Sequence, residues 1–128
     1  MPGNNSMYSE KVLKHFYHPQ NMGKLKNPDS QSKVGNPVCG DLMSVYLRIK
    51  KNKIADIKFE TLGCPAAIAT SSVMTAMAKG RTLQQAKKIS FNMIAEKLGG
   101  LPKIKLHCSH LAVEALQKAI KNYEQPKK

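Results

Sequence analysis

The sequence predicts an α+β fold in which an N-terminal helix and several later helices pack on one face of a small antiparallel sheet. Apolar and polar residues alternate over residues 43–49 and 57–61, as in half-buried strands. Apolar residues recur at helical spacing near the N-terminus and in the C-terminal half. With 128 residues, 41% of them hydrophobic, we expect a single domain over residues 1–128, frayed at 1–6 and 125–128.

The first half of the chain yields a helix and a hairpin. Apolar residues recur at helical spacing from Tyr8 to Phe16 after Ser9, a good N-cap residue, and the helix should end before Pro19. Residues 20–37 are rich in Pro, Gly and Asn and predict an extended loop that joins a strand near residues 33–38. A turn at Lys51-Asn52-Lys53 joins the two alternating strands into a hairpin.

The second half is helical. Pro65 opens a helix that should end at Gly80. Thr82 and Gln85 form a capping box for a short helix, and Ser90 caps another that ends at residues 99–100. After a connector at residues 101–105, the last helix has one apolar stripe, formed by Leu111, Ala112, Ala115, Leu116, Ala119, Ile120 and Tyr123.

The charge balance is strongly basic, with 21 Lys and Arg against 8 Asp and Glu, a net charge of +13. This excess suggests an acidic partner. Nucleic acid is disfavoured because Arg48 and Arg81 are the only arginines and no aromatic residues alternate with the lysines. No apolar run approaches a membrane span and the N-terminus has no apolar signal core, so we expect a cytoplasmic protein with no membrane partner.

There are three cysteines, Cys39, Cys64 and Cys108. Their odd number argues against a disulfide framework, and their wide spacing excludes a CxxC motif. Cys39 precedes the hairpin, whereas Cys64 and Cys108 stand at predicted helix N-termini, where the thiolate is favoured. One interpretation is a metal or reactive-thiol site, and the other is three unrelated buried residues.

Two further side chains could complete a metal site. Asp41 follows Cys39 by two residues, and His107 precedes Cys108. A ligand set of Cys39, Asp41, Cys64, His107 and Cys108 is dominated by sulfur, which selects zinc or an iron–sulfur cluster.

Four segments resemble the IscU and N-terminal NifU family of iron–sulfur cluster assembly scaffolds, and the resemblance runs from Tyr8 to Tyr123. They are Tyr8-Ser9-Glu10-Lys11-Val12, Asn36-Pro37-Val38-Cys39-Gly40-Asp41, Gly63-Cys64 with Ala67-Ile68-Ala69-Thr70-Ser71-Ser72, and Leu106-His107-Cys108-Ser109. The resemblance implies a three-stranded antiparallel sheet. It also implies an assembly scaffold and sulfur acceptor rather than a turnover enzyme.

By this resemblance, a PLP-dependent cysteine desulfurase delivers persulfide sulfur to Cys108, ferrous iron loads, and a ferredoxin-type donor supplies electrons. The resulting [2Fe–2S] cluster is held by Cys39, Cys64 and Cys108, with Asp41 or His107 as the fourth ligand, and passes to apo-proteins. The resemblance implies that Asp41 keeps the cluster labile and that Lys105 assists exchange. It also implies zinc at the vacant site and a homodimer when a cluster is bound.

Two departures from the family pattern bear on partners and domains. The family's Hsp70-type chaperone recognises Leu-Pro-Pro-Val-Lys, whereas this chain has Leu101-Pro102-Lys103-Ile104-Lys105, which argues against dependence on that chaperone. The chain ends at residue 128, so we expect the additional domains of full-length NifU to be absent.

Three alternatives remain. A zinc-dependent sulfur acceptor of the SufU type would carry an insertion between its second and third cysteines. It would also have no histidine before the third cysteine, where this chain has His107. A basic nucleic-acid-binding module would use the cysteines only to fold around zinc. A hydrolase using Cys108 and His107 is disfavoured because adjacent residues on a helix point apart.

Overall fold

The computed structural model describes residues 10–36, 41–62, 65–99 and 106–124, and within these ranges it leaves the side chains of residues 36, 41, 65, 66 and 106–109 undescribed. In chain order the elements are α1 (Glu10–Tyr17), β1 (Ser30–Asn36), β2 (Asp41–Lys50), β3 (Lys53–Leu62), α2 (Pro65–Ala78), α3 (Leu83–Lys87), α4 (Phe91–Lys97) and α5 (Leu106–Glu124).

The three strands form one antiparallel sheet in the order β1-β2-β3, which confirms the expected α+β architecture. Helices α2 and α5 pack against the sheet and against each other, and α1 packs on α2. Aliphatic side chains dominate the core, with Phe59 as its only buried aromatic residue among those described. Among the described helices, none is both long and apolar enough to cross a bilayer.

The hairpin between β2 and β3 is longer than its alternation predicts because a β-bulge interrupts the pattern. Ile49 pairs with Ile54 but Arg48 pairs with Asp56, so one residue of β3 is left over. Ile54 and Ile57 are therefore both buried although they are three positions apart, an odd step that would otherwise place them on opposite faces. The turn has only two residues, Lys51 and Asn52, both at positive φ (52° and 65°), as a type I′ hairpin requires.

Strand β1 begins at Ser30, three residues before the predicted start. Two of the polar residues that open it, Ser30 and Ser32, are buried for a reason that hydropathy does not show. Ser30 Oγ donates to the Ala119 carbonyl (2.6 Å) and Ser32 Oγ donates to the Ala115 carbonyl (2.7 Å), which joins β1 to α5.

The predicted helix boundaries that lie within the described residues are confirmed. Thr82 and Gln85 form the reciprocal capping box, and Ser90 Oγ accepts from the Met93 amide. Helix α2 ends just before Gly80, which has φ +86°. The predicted N-cap Ser9 lies outside the described residues.

A polar joint holds α1 against α2. Ser72 Oγ lies 2.8 Å from His15 Nδ1 and accepts from the Gln20 amide at 2.8 Å. With that amide as donor, the Ser72 hydroxyl hydrogen can point to Nδ1, which suits a neutral imidazole. Burial, and then the charge of Lys14, lower the pKa of His15 below 6.5.

We expect Ser30→Ala and Ser32→Ala each to lower the free energy of unfolding by about 1 kcal/mol, because each removes a buried hydrogen bond between β1 and α5. Urea unfolding of each variant measures the change. Gln31→Ala, at the exposed position between the serines, is the control and should stay within about 0.5 kcal/mol of wild type. Equal effects at all three positions would mean that the hydroxyls do not stabilise this contact.

We expect acidification to weaken the joint at His15. The pKa of His15 in the folded state lies below its value in the unfolded chain. The stability that neutral His15 contributes is therefore complete above pH 6.5 and is lost as pH falls through the folded-state pKa. Urea unfolding at several pH values should show a smaller acid loss in His15→Asn than in wild type. Proton NMR titration of the His15 ring gives a direct check, and a midpoint at or above 6.5 would contradict the expectation.

Candidate functional site

The sequence-predicted site residues fall at or between the ends of the described elements. Cys39, Cys64 and Lys105 lie outside the described residues. Asp41 is the first residue of β2, and His107 and Cys108 are the second and third residues of α5. Only the backbone of these last three is described. The structure therefore shows where the chain enters and leaves the predicted site, through the element ends that flank it.

The sheet register places the first two cysteine-bearing connections at the same edge. Asn36, the last residue of β1, pairs with Asp41, the first of β2, on either side of residues 37–40. Leu42 pairs in turn with Leu62, the last residue of β3. Neighbouring strands lie about 4.8 Å apart, so residues 37–40 and 63–64 leave the sheet from adjoining strand ends.

Helix α5 runs antiparallel to β1, which brings its first turn to the same edge. A step of two residues along β1, from Ser30 to Ser32, corresponds to a step of four backwards along α5, from Ala119 to Ala115. The two steps are nearly equal in length, about 6.6 Å of strand and about 6 Å of helix. Four residues beyond Ser32 along β1 is Asn36, and eight residues before Ala115 along α5 is His107. The same spacing therefore places the backbone of His107 level with that of Asn36.

A second pair of contacts repeats this spacing on the outer side of β1. Asn122 Nδ2 donates to the Gln31 carbonyl (3.0 Å), and Lys118 Nζ donates to the Lys33 carbonyl (3.3 Å). These side chains also cover carbonyls on the open edge of the sheet, where β1 has no neighbouring strand. The antiparallel placement of α5 thus rests on four contacts.

Helix α2 begins at Pro65, three residues after the end of β3. We call the edge formed by Asn36, Asp41, Leu62, Pro65 and Leu106 the site edge. The N-termini of two long helices, α2 and α5, belong to it. The first amides of a helix have no partner within the helix and carry the positive end of its dipole, so a helix N-terminus favours thiolates over thiols.

An apolar surface that the sequence analysis missed lies beside the site edge. Leu42 and Leu62 are 40% and 70% exposed, and Met22 is 43% exposed. They line a cavity of about 370 Å³ on the outer face of the sheet, together with Lys33 and Glu60. A signal was present, because Leu42 and Met43 are consecutive apolar residues in a strand and only one of them can face the core.

Two other groups near α5 and on the sheet have structural roles. The His110 ring packs on Phe91, with ring centroids 3.8 Å apart, and so joins α5 to the start of α4. The Tyr46 hydroxyl donates to Glu60 at 2.7 Å, and burial together with this carboxylate raises the pKa of Tyr46.

Within the described part of the chain, no three His, Cys, Asp or Glu side chains are grouped as a metal site would require.

Comparison with known proteins identifies the group of proteins that this chain resembles in sequence. A family model described as the NifU-like N-terminal domain matches residues 7–128. Two iron–sulfur cluster assembly scaffold proteins of Archaeoglobus fulgidus, IscU 1 and IscU 2, are each 58% identical over 117 residues, covering 91% of this chain and 76% of each relative. The scaffold protein IscU of Azotobacter vinelandii is 44% identical over 124 residues, covering 94% of this chain and 96% of that protein.

Solved structures share the fold at lower sequence identity. One is a putative iron–sulfur cluster assembly scaffold protein for the SUF system from Fervidobacterium islandicum, with a TM-score of 0.78 and 24% identity over 92% of this chain and 99% of that one. Another is the N-terminal part of a NifU-like protein from Brucella abortus, with a TM-score of 0.77 and 21% identity over 98% and 100% of the two chains.

Proposed function

The chain belongs to the NifU-like N-terminal domain family, and on that premise we propose that it is a scaffold on which [2Fe–2S] clusters are assembled and then passed to apo-proteins. One observation carries the proposal. The connections or helix starts that bear Cys39, Cys64 and Cys108 all begin or end at the site edge. Three cysteines far apart in the sequence thereby become candidates for one site.

The donor set suits a cluster that must leave. Cys39, Cys64 and Cys108 would supply three thiolates, the ligands that iron–sulfur clusters use most. Asp41 or His107 would supply the fourth ligand, and either is less firmly held by iron than a thiolate would be. Zinc, which binds the same donors, would occupy the site in the absence of a cluster.

The proposed assembly balances in sulfur and electrons. The Cys108 thiolate attacks the terminal sulfur of a persulfide on a PLP-dependent cysteine desulfurase, takes over that sulfur and leaves the donor cysteine as a thiolate. Each transferred sulfur needs two electrons to become sulfide. Oxidation of two ferrous ions supplies half of what a pair of sulfides needs, and a ferredoxin-type donor supplies the rest.

The apolar surface beside the site edge would receive the sulfur donor. Exposed Leu42, Leu62 and Met22 are the kind of grouped apolar side chains that mark a protein-binding surface. Leu62 stands two residues before Cys64 and Leu42 directly follows Asp41. A desulfurase bound there would deliver its persulfide next to the proposed ligands.

Reconstitution tests the proposal. The protein is incubated anaerobically with ferrous iron, cysteine, reductant and a catalytic amount of cysteine desulfurase, and followed by visible absorption and circular dichroism. We expect charge-transfer bands in wild type and their loss in Cys64→Ser. Far-UV circular dichroism establishes that the variant is folded.

Mass spectrometry of the same mixtures locates the sulfur. The persulfide should appear in wild type and be lost in Cys108→Ser. If a persulfide forms and zinc stays bound without charge-transfer bands, the protein is a sulfur relay of the SufU type and the scaffold proposal is wrong.

We expect Asp41→Ala to slow cluster transfer to an apo-ferredoxin by roughly tenfold, because a firmer donor would take the place of the carboxylate. The rate is read from the circular dichroism change on transfer. Glu114→Ala removes an exposed carboxylate from α5 and is the matched control, expected to transfer at the wild-type rate. Equal transfer rates in wild type and both variants would mean that Asp41 does not contribute to cluster release.

A further inference from the structure

A basic groove lies between α1, the end of α2 and α4. Two adjoining cavities of about 470 and 350 Å³ share the residues Met77, Arg81 and Lys97 and so form one continuous depression. We call it the methionine groove and define it by Lys11, His15, Met77, Arg81, Met93 and Lys97. Each of the two cavities is by itself within the range for ligand-binding clefts, about 300–1,000 Å³.

The methionine groove is distant from the site edge. Helix α2 begins at the site edge with Pro65, and Met77 lies twelve residues further along, which is about 18 Å of helix. A molecule bound in the groove would therefore leave the proposed cluster site accessible.

The floor of the groove is apolar and adaptable. Met77 is half-buried and Met93 is 36% exposed, and Val73 and Ala76 of α2 line the same depression. Thioether side chains are flexible and polarizable, and surfaces built from them accept apolar side chains of different shapes.

The rim of the groove is cationic and its charges are available. Within the described part of the chain, Lys11, Arg81 and Lys97 form no ion pair, unlike Lys79, which pairs with Asp56 at 3.4 Å. Arg81 is held in place because its Nε donates to the Met77 carbonyl, and among the described residues its two terminal nitrogens have no acceptor. These charges are therefore free to meet a negatively charged ligand.

We propose that the methionine groove binds an acidic, amphipathic peptide segment of a partner protein, whose carboxylates meet Lys11, Arg81 and Lys97 while its apolar side chains contact Met77 and Met93. Charge complementarity and the apolar floor together favour this occupant. A nucleic acid fits less well because the described residues that line the groove include no Phe, Tyr or Trp ring for base stacking.

A fluorescein-labelled peptide, Glu-Glu-Leu-Asp-Leu-Glu-Glu, tests the proposal by fluorescence anisotropy. We expect its affinity to fall about tenfold in Lys11→Glu/Lys97→Glu. The matched control Lys50→Glu/Lys121→Glu makes the same change in net charge at exposed positions outside the groove and should lose less than about twofold. Equal losses in the two variants would show that the attraction is diffuse and would overturn the proposal.

Two further measurements address the apolar part of the site. A peptide with serine in place of both leucines should bind about tenfold more weakly. In protein labelled with ¹³C at the methionine methyls, the leucine peptide should shift Met77 and Met93 and leave Met22, exposed beside the site edge, unchanged.

Two other outcomes would count against the peptide. Unchanged Met77 and Met93 signals would overturn the proposal. So would a single-stranded oligonucleotide of equal charge that binds with the same dependence on Lys11 and Lys97, since the groove would then be a general polyanion site. None of these experiments involves iron or sulfide, so their failure is distinguishable from a failure of the proposed scaffold function.

Discussion

The antiparallel register of α5 on β1 is the constraint on which the proposed site depends. Cys39 and Cys108 are 69 residues apart in the sequence, and the packing of α5 along β1 brings the end of β1 and the start of α5 to one level. Two buried serine hydroxyls and two exposed side chains of α5 set that register by bonding to backbone carbonyls. A slide of α5 by half a turn would move the acceptor carbonyls about 2.7 Å along the helix axis and leave these hydroxyls without them, which costs about 1–3 kcal/mol for each buried polar group.

Local signals in the sequence predicted the helices well and β1 poorly, for a physical reason. The caps at Thr82 and Ser90 act within three residues, so their chemistry is readable from the sequence alone. The start of β1 depends on Ser30, whose acceptor is 89 residues away. A polar residue that is buried because of a distant partner looks in the sequence like a loop residue.

The same contrast between local and distant causes applies to β3 and to the candidate site. The bulge opposite Arg48 and Ile49 interrupted the alternation, so the sequence located β3 only from Ile57 onwards. At the candidate site, the sequence showed that Cys64 and Cys108 stand next to helix starts, and this placement made them candidate thiolate ligands. The outward direction of Leu42 was readable from its neighbour Met43, but its grouping with Leu62 was not, because that follows from the pairing of β2 with β3.

Helix α2 connects the two surfaces to which we assign functions, since it starts at the site edge and ends in the methionine groove. Its residues from Ala67 to Thr75 are mostly buried, yet four of them carry hydroxyls: Thr70, Ser71, Ser72 and Thr75. Such a helix would be costly if the hydroxyls lacked partners. Thr70 and Thr75 donate back to carbonyls of the same helix, and Ser71 contacts the Met43 sulfur at 3.1 Å.

Ser72 makes the remaining connection, to His15 and to the Gln20 amide. Small hydroxyl residues therefore let α1 and the sheet approach α2 closely from different sides without leaving polar groups unpaired. The helix that begins next to Cys64 is held by the sheet on one side and by α1 on another. A ligand bound in the methionine groove would touch this same rigid element about 18 Å from the proposed cluster site, so the two surfaces are fixed relative to each other by one helix.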